Sequence, residues 1–291
     1  MGFESIYNHK AIIKESANAR VNLIGEHTDY TGGYVMPTLL GFKNTIELSK
    51  NEEESFVVFS EHFNEKKIFN DFIKSQSNDW SDYIKGCLFI FFDEYKKIKL
   101  EHLNLYISST IPLERGISSS SALCVSTLKA LNSYFNTQIN EKHIAILAKK
   151  VEHDYIGVSG GIMDQMVSSI GIHGKAFFLD CLNLKYELVN FPSNWKFCLI
   201  DSEVQRNLRS SSYNDRFNEL KIAEKELDVE YLGGVELNKF DSDKISNPTV
   251  IKRARHVVSE NNRVLKAKEC LLKDDINQFG KLMIESHNSY S

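Results

Sequence analysis

Ala19-Arg20-Val21-Asn22-Leu23-Ile24-Gly25-Glu26-His27-Thr28-Asp29-Tyr30-Thr31-Gly32-Gly33-Tyr34 is a short apolar strand that breaks at a glycine into a polar cluster. The glycine pair then turns the chain back into Tyr34-Val35-Met36, a strand–turn–strand pattern. Two carboxylates and an imidazole within four residues can donate to and accept from several neighbouring hydroxyls, as a small pocket for a polyol must. Arg20 adds a fixed cation whose donor fork suits phosphate oxygens. Taken singly, Glu26, His27 and Asp29 would pass for ordinary turn residues, because turns collect such side chains. Their density is what points to a ligand.

The surrounding composition narrows the choice of ligand. The 291 residues are 42% hydrophobic with a net charge of −4, enough for a large core and one long or two ordinary domains. Nothing in that charge marks the chain for nucleic acid or an anionic membrane, so small solutes are the expected partners. The densest apolar run, Cys87-Leu88-Phe89-Ile90-Phe91-Phe92, is far short of the roughly 20 residues of a membrane span. No secretory pattern opens the chain, so a cytoplasmic protein with no membrane partner is expected. The five cysteines form no Cys-x-x-Cys pair, which predicts reduced, mostly buried thiols and no structural metal.

Downstream, strands are expected at 45–48, 55–59, 102–108, 176–180, 186–190 and 196–201, and helices at 78–96, from 122, at 141–156, from 211 and at 275–287. Between the 102–108 strand and the helix from Ala122 lies Ile111-Pro112-Leu113-Glu114-Arg115-Gly116-Ile117-Ser118-Ser119-Ser120-Ser121. A helix start with a row of hydroxyls suits an anion: its backbone donors can hold a triphosphate, and a serine can ligate Mg²⁺. The same run would equally serve as a flexible connector. Neither Gly-x-x-x-x-Gly-Lys-Ser/Thr nor Gly-x-Gly-x-x-Gly is present, which disfavours a P-loop kinase and the dinucleotide fold. Lys252-Arg253-Ala254-Arg255-His256-Val257-Val258 reads as an ordinary helix with a solvated charged face, not a basic patch.

The opening stretch resembles the signature of the galactokinases, within the GHMP family of small-molecule kinases, departing at Ala19 (Gly in the family) and Asn18 (usually Pro). The serine run resembles the second motif of that family, with Glu114-Arg115 where small residues are common. Val151-Glu152-His153-Asp154-Tyr155, Gly160-Gly161-Ile162-Met163-Asp164-Gln165 and Ser211-Ser212-Tyr213-Asn214-Asp215-Arg216 are similar to further family elements. The resemblance implies an α+β, two-domain GHMP kinase fold: a domain like ribosomal protein S5 domain 2 over 1–172, and an incomplete ferredoxin-like domain over 173–291. It implies ATP-dependent phosphorylation of galactose at the anomeric hydroxyl, with Mg²⁺ as cofactor. By the same resemblance Glu26, His27, Asp29, Gly161 and Tyr213 bind the sugar, and Asp164 and Arg20 carry the chemistry. Gly116, Ser118, Ser119, Ser120 and Ser121 bind ATP, and Ser120 with Glu152 binds the metal. A carboxylate beside the attacking hydroxyl is chemically apt, since that hydroxyl must lose a proton as it meets the γ-phosphoryl.

Galactokinases continue beyond the point where this sequence stops, through a glycine-rich third motif. An incomplete C-terminal domain with reduced turnover is therefore expected, either monomeric or self-associating through uncovered surface. The rival readings are a kinase for galacturonate, arabinose or N-acetylgalactosamine, and a non-catalytic sensor of sugar and ATP. Glu26 and Asp29 would repel a uronate, which favours a neutral hexose.

Overall fold

The computed structural model describes residues 2–73, 78–112, 115–201 and 211–290, with the backbone alone at 211–213. In chain order the elements are α1 (Phe3–Tyr7), β1 (Ile13–Asn22), β2 (Tyr34–Val35), β3 (Pro37–Lys50), β4 (Phe56–Ser60), β5 (Glu65–Phe69), α2 (Ser81–Glu94) and β6 (Leu103–Ser109). There follow α3 (Ser119–Phe135), α4 (Glu141–Lys150), α5 (Met163–Ile170), β7 (Lys175–Asp180), β8 (Lys185–Asn190), α6 (Ser211–Leu227), α7 (Pro248–Leu272) and α8 (Ile276–Tyr290). The chain is thus a mixture of helix and sheet, as its patterning predicts.

Two compact units interleave along the sequence. One takes Met1–Ala19, Leu40–Gly157 and Asp164–Ile170; the other takes Arg20–Leu39, Val158–Met163 and Gly171–Ser291. In the first unit β3 pairs antiparallel with β6 from Asn44↔Ser109 to Lys50↔Leu103. The parallel pairing of β4 with β6 and the antiparallel β4–β5 hairpin extend that sheet. Alternation along β6 and helical spacing along α2 and α3 bring Leu48, Val58, Leu88, Phe91, Leu105 and Leu128 into one core, the hydrophobic burial that offsets chain entropy. The side chain of Asn140 accepts from the His143 amide and opens α4, as an N-cap should.

The sequence reads 141–156 as one helix, but α4 ends at Lys150. A π-helical turn, Val151–Ile156, follows and is closed by Gly157, whose N–H reaches the Glu152 carbonyl. Such widened turns are rare and concentrate at functional positions.

In the second unit β7 pairs antiparallel with β2 and with β8. Leu23, Ile24, Met36, Phe178, Trp195 and Val264 pack as one cluster. Asn247 caps α7, with Pro248 in its first turn, a start that needs no amide from the proline. The strand expected at 196–201 is not formed. Phe197, Leu199 and Ile200 are exposed there: an apolar run supplies β propensity, but a strand also needs a neighbour to bond. Four cysteines are buried and Cys198 is exposed, all as free thiols. Among the described residues no helix is long and apolar enough to cross a membrane.

Candidate active site

In the first unit the serine run sits where its helix begins. Ile117 is buried with Ala19, Ile111 and Ala122, which anchors the loop, while Gly116 is exposed at a φ of 71°. The first turn of α3 carries Ser119, Ser120 and Ser121, and the leading amides of any helix have no acceptor within it. Ser118 itself has a left-handed φ of 62°. Its hydroxyl donates to Asp164 Oδ2 at 2.5 Å, so Ser118 faces the expected catalytic carboxylate.

Asp164 lies in the first turn of α5, where a negative charge is favoured by the helix dipole. Next to it, Gln165 Nε2 donates to Glu152 Oε2 at 2.6 Å, and Ser121 Oγ donates to Glu152 Oε1 at 2.9 Å. The hydroxyl on the Glu152 carboxylate at this distance is therefore that of Ser121, one position beyond the serine expected from the sequence. Ser120 also hydrogen-bonds this carboxylate. Burial, and after it the charge of Asp164, push the Glu152 carboxyl up from 4.5 to about 7 against these hydrogen bonds, because both effects disfavour ionisation. Gln165 Oε1 is buried with no hydrogen-bond partner.

These features fit a hard divalent cation. Two carboxylates, serine hydroxyls and an amide oxygen are all hard donors, and Mg²⁺ is usually held by one or two carboxylates plus substrate phosphates. A larger all-protein cage is not found: among the described residues no group of three or more His, Cys, Asp or Glu could hold a metal.

In the second unit the signature forms a tight loop. Thr28 is fully buried and its hydroxyl bridges the carbonyls of Gly25 and Tyr34, at 2.9 and 2.6 Å. His27 has a φ of 64°. Its Nδ1 meets the Tyr30 hydroxyl at 2.6 Å, Arg216 lies 3.4 Å from its Nε2, and its ring stacks on Tyr290 at 5.4 Å. Arg216 also donates to the Tyr290 hydroxyl at 2.6 Å. Burial, then the charge of Asp29, hold the Tyr30 phenol well above its usual range, so Tyr30 stays a neutral partner for His27. Glu26 is exposed and accepts from Asn22 Nδ2 at 2.9 Å. Gly161 touches Asp29 so closely that a Cβ there would fall 1.9 Å from Oδ2; only glycine permits the approach. Arg20 lies on β1 and is half-buried.

Of the remaining expected residues, Tyr213 lies on α6 but its side chain is outside the described part, as is Glu114. The residues that sequence reasoning missed are Gln165, Arg216, Tyr290 and three on α7: His256, Glu260 and Asn261. His256 and Glu260 stand one helical turn apart on a face that also carries Val257 and Val264, all buried. A buried charged residue beside such a face is the signal that a partner exists.

The profile described as the GHMP kinases N terminal domain matches residues 82–171, and that described as the galactokinase galactose-binding signature matches 1–50. A galactokinase from Thermotoga maritima is 36% identical over 95% of this chain and 77% of its own length. One from Fusobacterium nucleatum is 35% identical over 99% of this chain and 77% of its own. The crystal structure of Lactococcus lactis galactokinase complexed with galactose superposes with a TM-score of 0.89 at 33% identity, covering 99% of this chain and 77% of that one. A mevalonate kinase, at 17% identity and a TM-score of 0.63, shares the fold.

Proposed function

This chain belongs to the galactokinases of the GHMP kinase family, and on that premise we propose a division of labour among its residues. The reaction is the ATP-dependent phosphorylation of galactose. The phosphoryl group goes to the anomeric hydroxyl, giving galactose 1-phosphate. Glu26, His27 and Asp29 take the sugar hydroxyls, with Gly161 leaving room for Asp29 and Tyr213 adding a further hydrogen bond. His27 is held by Tyr30, Arg216 and Tyr290, so its ring is oriented before the sugar arrives.

Asp164 accepts the proton of the attacking hydroxyl. The observation that carries this reading is the Ser118 to Asp164 hydrogen bond of 2.5 Å, which joins the start of the phosphate loop to the carboxylate. It orients the carboxylate that is to take the substrate proton. Arg20 neutralises charge on the phosphoryl oxygens. The amides and hydroxyls of Gly116 and Ser118–Ser121 at the start of α3 hold the ATP phosphates. Ser120 and Ser121 with Glu152 would hold Mg²⁺, which would supply charge neutralisation for the phosphoryl transfer. The same reading assigns 1–172 to the N-terminal kinase domain, 173–291 to the C-terminal one, and the protein to the cytoplasm.

The test is ADP release by the purified chain with Mg²⁺ and ATP, comparing galactose with galacturonate, arabinose, N-acetylgalactosamine and no sugar. Galactose-dependent release that disappears in Asp164→Ala and yields a non-reducing phosphate ester is expected. A product that still reduces alkaline copper would refute the anomeric assignment, and release without sugar would refute the kinase reading.

A further inference from the structure

The buried carboxylate of Glu260 is fully enclosed. Its Oε1 accepts the amide of Gly25 at 2.8 Å, the amide of Glu26 at 3.4 Å and the hydroxyl of Ser286 at 2.6 Å, while Oε2 takes Arg263 Nε at 2.7 Å. A carboxylate oxygen shared by two consecutive backbone amides fixes the peptide plane between them, since both N–H vectors must converge on one oxygen. Gly25 can comply because its φ is 107°, a conformation no L side chain takes without strain, and a Cβ there would fall 2.9 Å from the Tyr34 carbonyl oxygen and from the Val35 α-carbon.

The next anchor is one turn back along the helix. His256 Nε2 lies 3.1 Å from the Glu26 carbonyl and Nδ1 lies 3.0 Å from Ser289 Oγ. A carbonyl can only accept, so Nε2 carries the proton; burial lowers the imidazole pKa and keeps that neutral tautomer. The last anchor is Asn261, whose Oδ1 accepts the Tyr34 amide at 2.6 Å and whose Nδ2 donates to the Gly233 carbonyl at 2.8 Å. One face of α7 therefore grips the backbone at both ends of the loop, at Gly25–Glu26 and at Tyr34. The three side chains expected to meet the sugar, Glu26, His27 and Asp29, all project from the segment between the two grips.

We propose that Glu260, with His256 and Asn261, is the positioning element of the sugar loop, and that the affinity for galactose is set from α7 by holding that backbone rigid. These residues do not touch the sugar. They act on it through the peptide units that carry Glu26 and His27, which deepens, and rests on, the reading of this loop as the galactose site. A loop so held loses less conformational entropy when the ligand binds. Releasing it is expected to weaken sugar binding while leaving the nucleotide terms alone.

The experiment uses the full chain with Glu260→Gln, Asn261→Ala and Ser286→Ala. It reads galactose affinity by calorimetry, KM for galactose and for ATP, and hydrogen exchange at the Gly25, Glu26 and Tyr34 amides. Glu260→Gln, which keeps one acceptor oxygen but replaces the other with an NH₂ and so cannot accept from both the loop and Arg263, is expected to raise the galactose Kd at least about tenfold and Asn261→Ala about fivefold, with KM for ATP unchanged and faster exchange at the amides whose hydrogen bonds each variant weakens. Ser286→Ala removes a Glu260 contact that does not touch the loop, so it should lower stability and leave the Kd within about twofold. If Glu260→Gln does not fold, Asn261→Ala decides by the same criteria. Unchanged galactose affinity with protected amides, or equal loss of galactose and ATP affinity in all three variants, would overturn the positioning role. A parent chain that binds ATP but no galactose would instead overturn the sugar reading, and the exchange data would still decide whether α7 holds the loop.

Discussion

Glu152→Gln should make the protein more stable at alkaline pH and change little in acid. The carboxyl is raised from 4.5 to about 7, first by burial and then by Asp164, so the folded state binds its proton more tightly than the unfolded chain does. The penalty for ionising it is absent well below pH 4.5, grows as the pH rises through the interval, and is constant above about 7. At about 1.4 kcal/mol per decade, the full penalty is about 3–4 kcal/mol, most of which develops between pH 5 and pH 8. Glutamine cannot ionise and so escapes it. Urea unfolding of both proteins across that range, without Mg²⁺, should show the variant gaining about 2–3 kcal/mol on the parent as the pH rises. Any cost of fitting an amide beside Ser121 and Gln165 shifts that difference by a constant and leaves its slope intact. A difference that is flat within about 0.5 kcal/mol, or that grows toward acid, would refute the claim that this carboxylate is held against ionisation. Saturating Mg²⁺ with ATP should shrink the gain, because a bound cation favours the ionised form.

Asp164→Asn should cost about 10² to 10⁴ in kcat with the galactose KM changed by less than about threefold; a kcat within tenfold of the parent would remove Asp164 from proton transfer. Gly161→Ala places a Cβ against Asp29 and should raise the galactose KM about tenfold or more while lowering stability by about 1–3 kcal/mol, measured by steady-state kinetics and urea unfolding. Tyr30→Phe removes the hydroxyl from His27 Nδ1 and should weaken galactose binding by about 1 kcal/mol in calorimetry, leaving ATP binding unaffected. Trp195→Phe removes a 2.6 Å hydrogen bond to Asp274 and should cost about 1–2 kcal/mol of stability with no change in either KM.

Much of the site could be read because its parts are local. The break at Gly25 announces a turn, and the serine run before an apolar helical face announces a helix start, both from a few adjacent residues. The π turn at Val151–Ile156 could not be read, since its apolar spacing differs little from that of the α-helix before it. Strand β5 was missed because Glu65–Phe69 is mostly charged. It forms because β4 offers it a partner over five positions, Phe56↔Phe69 to Ser60↔Glu65. The run 196–201 shows the converse, strong β propensity with no partner strand among the described residues. The helix around His256 reads as having a solvated charged face, and Lys252 and Arg255 are exposed on it, yet His256, Glu260 and Asn261 are buried against a loop more than two hundred residues away in sequence.

By itself the sequence determined the chemistry on offer: a polyhydroxyl-binding turn, an anion-binding helix start, and carboxylates on the helices that follow. These depend on residue type and short spacing, which the chain carries wherever it is read. Only the tertiary structure decided which groups meet: Ser118 with Asp164, Ser121 and Gln165 with Glu152, and Glu260 with the amides of Gly25 and Glu26. Such pairings follow from how helices and strands bury their apolar faces, and no local pattern encodes the distance between a loop and the helix that holds it.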